Sequence, residues 1–181
     1  MEGFGPPSSF AAQPRRQAPG GLFGRHYMGV LHMEIRLVPI NSANMDECLA
    51  LAVARGQEKY ICPNSESLMA AAENRDIARP FAIYAGDTMV GFTMFAFDSA
   101  YGDPDDRYWL WRFMIGADYQ GRGYGSLALK EIIGYFRQNG AGHIRLSTKV
   151  DNAAAISLYR KYGFRESGGM NGDETVFYLK L

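Results

Sequence analysis

The sequence has 181 residues, 47% of them hydrophobic and 13% aromatic, which is enough to bury one sizeable core and is typical of a single domain. Its formal net charge is zero and its pI is about 6.8, so no overall electrostatic field favours a nucleic acid or an anionic membrane as a partner. Because no apolar run reaches the roughly 18 residues that a bilayer requires, and because Cys48 and Cys62 lack metal-binding spacing, we expect a cytoplasmic protein with no membrane partner and no metal.

Residues 1–32 differ in composition from the rest of the chain. They are rich in Gly, Pro, Ser and Gln and have neither helical nor strand periodicity, so we expect a disordered extension before a domain at 33–181. Arg15, Arg16 and nearby prolines stand where a secretory signal needs an apolar stretch, and the prolines also disfavour the amphipathic helix of a transit peptide. We favour Met33 as the natural start of the protein.

The domain begins with a predicted strand and a predicted helix. MEIRLVPI, residues 33–40, alternates between apolar and polar side chains as a strand does. Asn41 or Ser42 can cap the helix that follows. The apolar residues of this helix fall at helical spacing: Met45, Cys48, Leu49, Ala52 and Val53.

The middle of the chain predicts a second helix and three strands. SESLMAAAE, residues 65–73, begins with a serine that can cap a short helix. PFAIYAG and TMVGFTMFAF flank Gly86 and Asp87, a two-residue turn that indicates an antiparallel hairpin. RYWLWRFMI, residues 107–115, has almost no polar interruption, which is typical of a central strand covered on both faces.

The last third predicts two helices and three strands. Leu129, Ile132, Ile133 and Phe136 mark a helix that follows a glycine-rich turn. HIRLSTKV is a predicted strand, AAAISLYRKY is a helix capped by Asp151 or Asn152, and GFRESG and ETVFYLKL are closing strands. The expected fold is therefore α/β, a mixed central sheet of six to seven strands flanked by about four helices.

The turn YQGRGYGS, residues 119–126, carries three glycines in five positions. Glycines before a helix let backbone N–H groups approach a phosphate. A dinucleotide fingerprint fits poorly, because Ser126 or Ala128 stands at the third glycine position and no acidic residue follows about 20 residues later. A Walker A loop also fits poorly, because Lys130 is the first lysine after the turn. Another phosphate ligand and a simple tight turn both remain open.

Two segments resemble the Gcn5-related N-acetyltransferase (GNAT) superfamily. RFMIGADYQGRGYGS is similar to its acetyl-CoA-binding segment, with Gln120, Gly123 and Gly125 at the motif positions. DNAAAISLYRKYGF is similar to a later motif of the family; its matching residues are Asn152, Tyr159, Gly163 and Phe164. The resemblance covers residues 33–181 and implies an N-acetyltransferase fold, with acetyl-CoA as co-substrate and no metal.

The resemblance also implies roles for individual residues. The turn becomes a cradle for the pyrophosphate of coenzyme A, helped by the positive end of the following helix. Its residues are Gln120, Gly121, Arg122, Gly123, Tyr124, Gly125 and Ser126. The strand before the turn is expected to part from its neighbour, and Phe113, Met114 and Ile115 pair through their backbone with the pantetheine arm.

Tyr159 is the predicted catalytic acid. It would give a proton to the leaving thiolate, whereas the neighbouring Tyr162 is expected only to pack its ring against the sheet. Asn152 is interpreted as a cofactor contact, although helix capping alone would also explain it.

The general base is not identified by the sequence. Carboxylates on the expected substrate side are Glu34, Glu58, Glu66, Glu73 and Asp98, and each one alone is more typical of a solvated surface. Arg112 is predicted to form a buried ion pair with a neighbouring strand. The histidines show no spacing typical of a base or a ligand.

The acceptor is interpreted as a small amine. The stretches PFAIYAGDTMVGFTMFAFD, DPDDRYWLWRFMI and YICPNSESL resemble the spermine and spermidine acetyltransferase branch. An acidic loop can attract a polycation, but an ordinary solvated turn is the preferred interpretation. The residues of this acidic loop are Asp98, Asp103, Asp105 and Asp106. Aromatic residues that can pack along an alkyl chain or fill the core are Tyr60, Tyr84, Trp109 and Trp111.

Other functions stay open at this point. One alternative is acetylation of another amine, such as an amino acid, an antibiotic or a protein N-terminus. The others are a non-catalytic acetyl-CoA sensor and a nucleotide-binding protein. The sequence leaves a homodimer open.

Overall fold

The computed structural model describes residues 34–181. The predicted disorder of residues 1–32 lies outside the described residues. The backbone that follows builds one α/β layer structure whose elements position a cleft.

A chain that begins at Met33 is expected to keep the activity and the melting temperature of the full chain, since residues 1–32 are predicted from their composition to bury little surface. Turnover and calorimetric melting of the two chains, measured side by side, check this expectation. A clear loss of activity or of melting temperature in the shorter chain would show that residues 1–32 have a structural or functional role.

Within residues 34–181, seven strands and four helices follow one another in the predicted order. They are β1 Ile35–Pro39, α1 Met45–Ala50, α2 Asn64–Glu73, β2 Ala78–Ala85, β3 Thr88–Phe97, β4 Tyr108–Ile115, α3 Tyr124–Gln138, β5 His143–Thr148, α4 Ala153–Lys161, β6 Arg165–Asn171 and β7 Glu174–Lys180. Three short 3₁₀ turns lie at Glu58–Tyr60, Pro104–Asp106 and Ala117–Tyr119.

The strands form a single mixed sheet in the order β1-β2-β3-β4-β5-β7-β6. Neighbouring strands are antiparallel except β4 and β5, which run parallel. The β2–β3 hairpin and the central place of β4 confirm the predictions made from the sequence. The mixed sheet with four helices confirms the predicted fold class.

The core lies on both faces of the sheet. On one face, α3 and α4 pack through Leu129, Ile132, Phe136 and Tyr159. On the other face, α1 and α2 cover buried side chains of the hairpin, and Cys48 of α1 is fully buried there. The apolar spacing that predicted α3 therefore marks its buried side.

The first helix is shorter than its pattern predicts. It ends at Ala50, and Leu51 takes an extended conformation, so Ala52 and Val53 lie outside it. The carbonyl of Ala52 instead accepts a hydrogen bond of 2.8 Å from the N–H of Ala117, beyond the end of β4. This tertiary hydrogen bond holds the segment after α1 against the turn that precedes α3.

The predicted helix caps are also partly wrong. Asn41 does not cap α1; its side chain accepts from the N–H of Ala43 at 2.8 Å in the turn before the helix. The second helix begins one residue early, at Asn64, after Pro63. Asn64 is buried and donates through Nδ2 to the carbonyl of Cys48, so it ties the two helices together.

The sheet opens between its two parallel strands. Strands β4 and β5 pair at a single position, Trp109 opposite Arg145. Beyond that pair, toward Ile115, the edge of β4 that faces β5 carries no strand partner within the described residues. The register of β3 against β4 also shifts between Met94 and Phe95, a bulge that increases local twist. This opening creates the cleft described next.

Candidate active site

Two adjoining cavities occupy the opening of the sheet. The larger has a volume of about 550 Å³ and the smaller about 300 Å³. Phe113 of β4, Asn152 before α4 and Tyr159 of α4 line both of them. A group bound in either cavity can therefore reach the same tyrosine, which is the arrangement that a two-substrate reaction requires.

Tyr159 lies at the junction of the two cavities. It is 7% exposed, and its ring packs against Phe164 with centroids 5.7 Å apart. Its hydroxyl has no hydrogen-bond partner among residues 34–181. Burial, and secondly the charge of Glu174, raise the pKa of Tyr159 above its ordinary value of 10.0. The phenol therefore stays protonated at neutral pH and can donate a proton within the cleft.

The glycine turn borders the smaller cavity and presents free donors. The N–H groups of the five residues from 121 to 125 have no acceptor in the part of the chain that the structure describes. Gly121 and Gly123 have positive φ values of 73° and 85°, and a Cβ at either position would meet no atom within 4 Å. Such consecutive donors, at the start of a 15-residue helix, fit a pyrophosphate.

Ser126 departs from the predicted cradle. Its N–H donates to the carbonyl of Gly123 at 3.1 Å, so it is not free for an anion. Its own carbonyl accepts from the hydroxyl of Tyr162 at 2.5 Å. The expectation that Tyr162 only packs its ring is therefore wrong, because this hydrogen bond also fixes the first turn of α3 against α4.

Two further side chains predicted for the cradle differ in how free they are. Arg122 is exposed and makes no ion pair with any described residue, so its charge is available beside the turn. Gln120 is already held: its Nε2 donates to the carbonyl of Ile115 at 2.9 Å and to Oε1 of Gln57 at 2.8 Å. Gln57 returns a hydrogen bond of 3.1 Å to Oε1 of Gln120. Gln120 thus braces the turn, and Gln57 is a neighbour that the sequence did not indicate.

The end of β4 forms one wall of the smaller cavity. Phe113, Met114 and Ile115 line it, and Leu158 of α4 stands among the residues opposite. Met114 is buried, as expected of a side chain that also serves the core. The unpaired edge of β4 offers backbone groups to an extended, amide-containing chain such as pantetheine.

Asn152 caps α4 and also lines both cavities. Its Oδ1 accepts from the N–H of Ala155 at 3.4 Å, and its Nδ2 donates to Oγ1 of Thr148 at 3.0 Å. Capping therefore explains its presence, and one amide hydrogen remains for a ligand.

The larger cavity contains three carboxylates, from Glu58, Glu66 and Glu174. Glu58 and Glu66 were among the predicted candidates for a base. The other candidates, Glu34, Glu73 and Asp98, do not line either cavity. Glu174 was missed because only the pairing of β5 with β7 brings the start of the last strand to the cleft.

The acidic loop lies away from both cavities. Asp105 contacts His143 at 2.7 Å, and Asp106 pairs with Arg145. These pairs fasten the loop to β5 near the closed end of the sheet, where Trp109 pairs with Arg145. The preferred interpretation of an ordinary turn agrees with this position.

Arg112 corrects a further prediction. It lines the larger cavity and forms no ion pair with another described residue, so the predicted buried pair is wrong. Its Nη1 donates to the carbonyl of Trp111 at 2.8 Å, and its guanidinium lies 5.4 Å from the centroid of the Trp111 ring. Backbone and aromatic contacts take the place of the expected carboxylate.

The predicted aromatic residues divide into two groups. Tyr60 and Trp111 line the larger cavity. Tyr84 instead donates its hydroxyl to Glu47 at 2.8 Å, and Trp109 donates Nε1 to the carbonyl of Asp106 at 2.9 Å. Only the first pair is placed to contact a bound molecule.

The described residues fit neither of two other kinds of site, a membrane-spanning helix and a metal centre. Within residues 34–181, no helix is both long and apolar enough to cross a membrane. The same stretch holds no cluster of His, Cys, Asp or Glu with metal-binding geometry. Cys48 is buried, Cys62 is exposed, and both are free thiols.

Comparison with known proteins gives a family match and several relatives. The sequence matches the Acetyltransferase (GNAT) family over residues 45–164. It is 30% identical over 149 residues to the spermine/spermidine N(1)-acetyltransferase of Bacillus subtilis (strain 168), covering 80% of this chain and 97% of that protein. It is 36% identical over 103 residues to the N-alpha-acetyltransferase RimI of Mycobacterium tuberculosis, covering 54% of this chain and 61% of that protein.

Among solved structures, the fold is similar to spermidine N-acetyltransferase from Vibrio cholerae in complex with CoA and spermine. The TM-score is 0.62 at 19% sequence identity, and the match covers 81% of this chain and 95% of that chain.

Proposed function

Since the chain belongs to the GNAT family of acetyltransferases and is an acetyl-CoA-dependent N-acetyltransferase, we propose that it acetylates a primary amine of a polyamine such as spermidine or spermine. The observation that carries the choice of acceptor is the group of carboxylates in the larger cavity, which also contains Tyr159. The Bacillus subtilis relative, whose match covers most of both chains, is a spermine/spermidine N(1)-acetyltransferase, which supports the same acceptor.

The smaller cavity and the glycine turn are proposed to hold acetyl-CoA. The five free N–H groups of residues 121–125, the charge of Arg122 and the start of α3 would bind the pyrophosphate. Phe113, Met114 and Ile115 would flank the pantetheine arm, and Asn152 would contact it near the tyrosine. When bound, acetyl-CoA supplies an acetyl group that its thioester has activated.

Tyr159 is proposed to be the general acid. Its hydroxyl is free of internal hydrogen bonds, it faces both cavities, and its raised pKa keeps the proton in place until a more basic group is near. It would donate that proton to the leaving sulfur. The tyrosine ring is held by Phe164 and the core around α4, so the hydroxyl is positioned before the substrates arrive.

The charges of the larger cavity favour a polycation. Its two lysines are compensated by acids outside the lining: Lys59 pairs with Asp151 at 2.6 Å, and Lys149 pairs with Asp173 at 3.4 Å. The remaining charges are the three carboxylates and Arg112, an excess of negative charge. Protonated amines would be drawn to such a cavity, where screening by water is reduced.

A protein N-terminus is the second candidate acceptor. The identity of 36% to the N-alpha-acetyltransferase of Mycobacterium tuberculosis supports it, although that match covers 54% of this chain. A peptide amine would need room for a backbone, whereas a polyamine needs several carboxylates spaced along an alkyl chain.

Thiol release from acetyl-CoA with a panel of amines tests the proposal. We expect spermidine and spermine to give higher kcat/KM than single amino acids, aminoglycosides or an alanine-terminated peptide. If the peptide were acetylated efficiently and neither polyamine were acetylated, the second candidate would replace the polyamine proposal. If none of the amines in the panel led to thiol release, both proposed acceptors would be contradicted.

Glu58→Gln and Glu66→Gln are each expected to raise KM for spermidine by about fivefold to tenfold, since an ion pair that is partly shielded from water contributes about 1 kcal/mol. Added salt should raise the wild-type KM and reduce the difference between wild type and variants. Steady-state kinetics at two ionic strengths measure both effects. A wild-type KM that ignores salt would show that the carboxylates do not hold the acceptor.

A further inference from the structure

A short chain of hydrogen bonds fixes one carboxylate in the larger cavity. Asn171 of β6 donates through Nδ2 to Oγ of Ser147 at 3.3 Å, and Ser147 of β5 donates its hydroxyl to Oε2 of Glu174 at 2.6 Å. All three residues line the larger cavity. Because the serine oxygen accepts from the asparagine, its proton is directed at the glutamate.

The sheet register holds this group in place. Glu174 is the first residue of β7 and lies opposite Asn171 across the β6–β7 hairpin. The next residue, Thr175, lies opposite Thr148 of β5, so the end of β5 and the start of β7 move together. Oε1 of Glu174 has no hydrogen-bond partner among the described residues and is left for a molecule in the cavity.

Glu174 differs from the other two carboxylates of the cavity. Glu58 uses Oε2 to accept from the N–H of Gly56 at 2.6 Å, and Glu66 lies in the first turn of α2. Of the three, only Glu174 contributes to the raised pKa of Tyr159. The charge of Glu174 is therefore the one that acts on the tyrosine within the cavity that both residues line.

The charged and titratable groups that face Glu174 come from several elements. Tyr159 lies on α4, Arg112 on β4, and Lys149 follows β5. Lys149 is engaged with Asp173, and Arg112 lies over Trp111, so neither forms an ion pair with Glu174 within residues 34–181. The carboxylate is therefore available as a proton acceptor.

We propose that Glu174, oriented by Ser147, is the general base that removes a proton from the acceptor amine. This assignment rests on the proposed acetyl transfer. An ammonium acceptor loses two protons on becoming an amide. The first proton must leave before the nitrogen lone pair can attack. Glu174 accepts this proton through Oε1 and passes it to water at the open side of the cavity.

The second proton leaves as the N–C bond forms and the C–S bond breaks. Tyr159 gives its own proton to the sulfur and is restored by this second proton. The overall reaction thus gives the amide, the free thiol and one proton in water, and it requires no further reactant.

Glu174→Gln keeps the size of the side chain and its hydrogen-bonding capacity but removes the base. We expect kcat with the best amine of the panel to fall by about 10²- to 10³-fold, within the usual contribution of general base catalysis. KM for the amine and its Kd, measured by calorimetry in the presence of CoA, should rise no more than the about fivefold to tenfold expected for Glu58→Gln, because the same single charge is removed from the cavity. Glu73→Gln, on the exposed end of α2 outside both cavities, is the matched control and should keep wild-type kcat.

The pattern of results separates a base from a binding residue. If Glu174→Gln raises KM and Kd as Glu58→Gln does while kcat is kept, Glu174 holds the ammonium and the assignment is overturned. Unchanged kcat and KM overturn it as well. Wild-type protein that releases no thiol with any amine would overturn the proposed function together with this assignment.

Ser147→Ala provides a second route if Glu174→Gln does not melt cooperatively. It leaves the carboxylate and removes the hydrogen bond that orients it, so kcat should fall by about tenfold, equivalent to about 1.4 kcal/mol, without a change in amine Kd. A Ser147→Ala variant with wild-type kcat would contradict the assignment.

Discussion

Gly125→Leu is expected to weaken acetyl-CoA binding at least about 100-fold, the equivalent of losing two hydrogen bonds to a charged group at about 1.5 kcal/mol each. A Cβ at position 125 would point between Ile115 and Leu158, whose side-chain atoms lie 3.7 and 3.6 Å from it. Those two residues line the smaller cavity, so a longer side chain would enter the space proposed for the cofactor.

The substitution should leave the fold intact. Unlike Gly121 and Gly123, Gly125 has no positive φ, and its Cβ contacts are ordinary van der Waals distances. It lies in the first turn of α3, where leucine has a better helix propensity than glycine by about 0.5–1 kcal/mol. A loss of binding can therefore be read as occupation of the cavity.

Two variants serve as controls. Gly134→Leu makes the same change in the same helix at a position where a Cβ meets nothing within 4 Å, and it should bind acetyl-CoA normally. Gly125→Ala adds only the tolerated Cβ and should bind with an intermediate affinity. Titration calorimetry with acetyl-CoA gives all three affinities. If Gly125→Leu and Gly134→Leu bound acetyl-CoA with equal affinity, the proposal that the cofactor occupies the smaller cavity would be contradicted.

Gly123 is a poorer test of the same idea. Its φ of 85° is in the left-handed region, where a residue with a Cβ costs roughly 1–2 kcal/mol. A substitution there would mix strain at the start of α3 with loss of the cradle. The sequence could not distinguish Gly123 from Gly125, because both carry the same motif and only the backbone angles differ.

The elements with strong local patterns could be predicted from the sequence. Leu129, Ile132, Ile133 and Phe136 of α3 are all buried, and the two-residue turn at Gly86 and Asp87 joins the predicted hairpin. In these cases the periodicity and the turn chemistry are local properties of the chain. Tertiary contacts did not need to override them.

The rest depends on contacts that are distant in sequence. Helix α1 stops early because the chain after it bonds to Ala117, and Arg112 lies against Trp111 instead of an acid. The extent of the cleft depends on β4 and β5 pairing at one position only. Glu174 reaches the cleft because β7 pairs with β5 in a particular register. The residues next to Glu174 in the sequence do not predict this register.

Tyr159→Phe is expected to lower kcat by about 10²- to 10⁴-fold, the usual contribution of general acid catalysis, with little change in acetyl-CoA affinity. The ring and its contact with Phe164 are kept, and the hydroxyl has no internal hydrogen bond to lose, so the melting temperature should hardly change. Thiol release under saturating substrates gives kcat, and calorimetry gives the affinity.

Tyr135→Phe is the matched control for this change. Tyr135 lies on α3, outside both cavities of the cleft, and packs its ring against Phe81 and Phe95. Removing its hydroxyl should therefore leave turnover unchanged. If Tyr159→Phe keeps the turnover of this control, Tyr159 has no part in proton transfer.

The pH dependence of the wild type tests the same role independently. Burial and Glu174 raise the pKa of Tyr159 above 10.0, so the acid form is fully present at neutral pH and is lost only above that value. The rate should therefore rise from pH 6 to pH 9 as the acceptor amine or its base loses a proton, and Tyr159 should cause no decline within this range. A rise in rate between pH 6 and pH 9 that disappears in Tyr159→Phe would mean that the tyrosine acts in its ionised form, and a role as the base would then fit it better than a role as the acid.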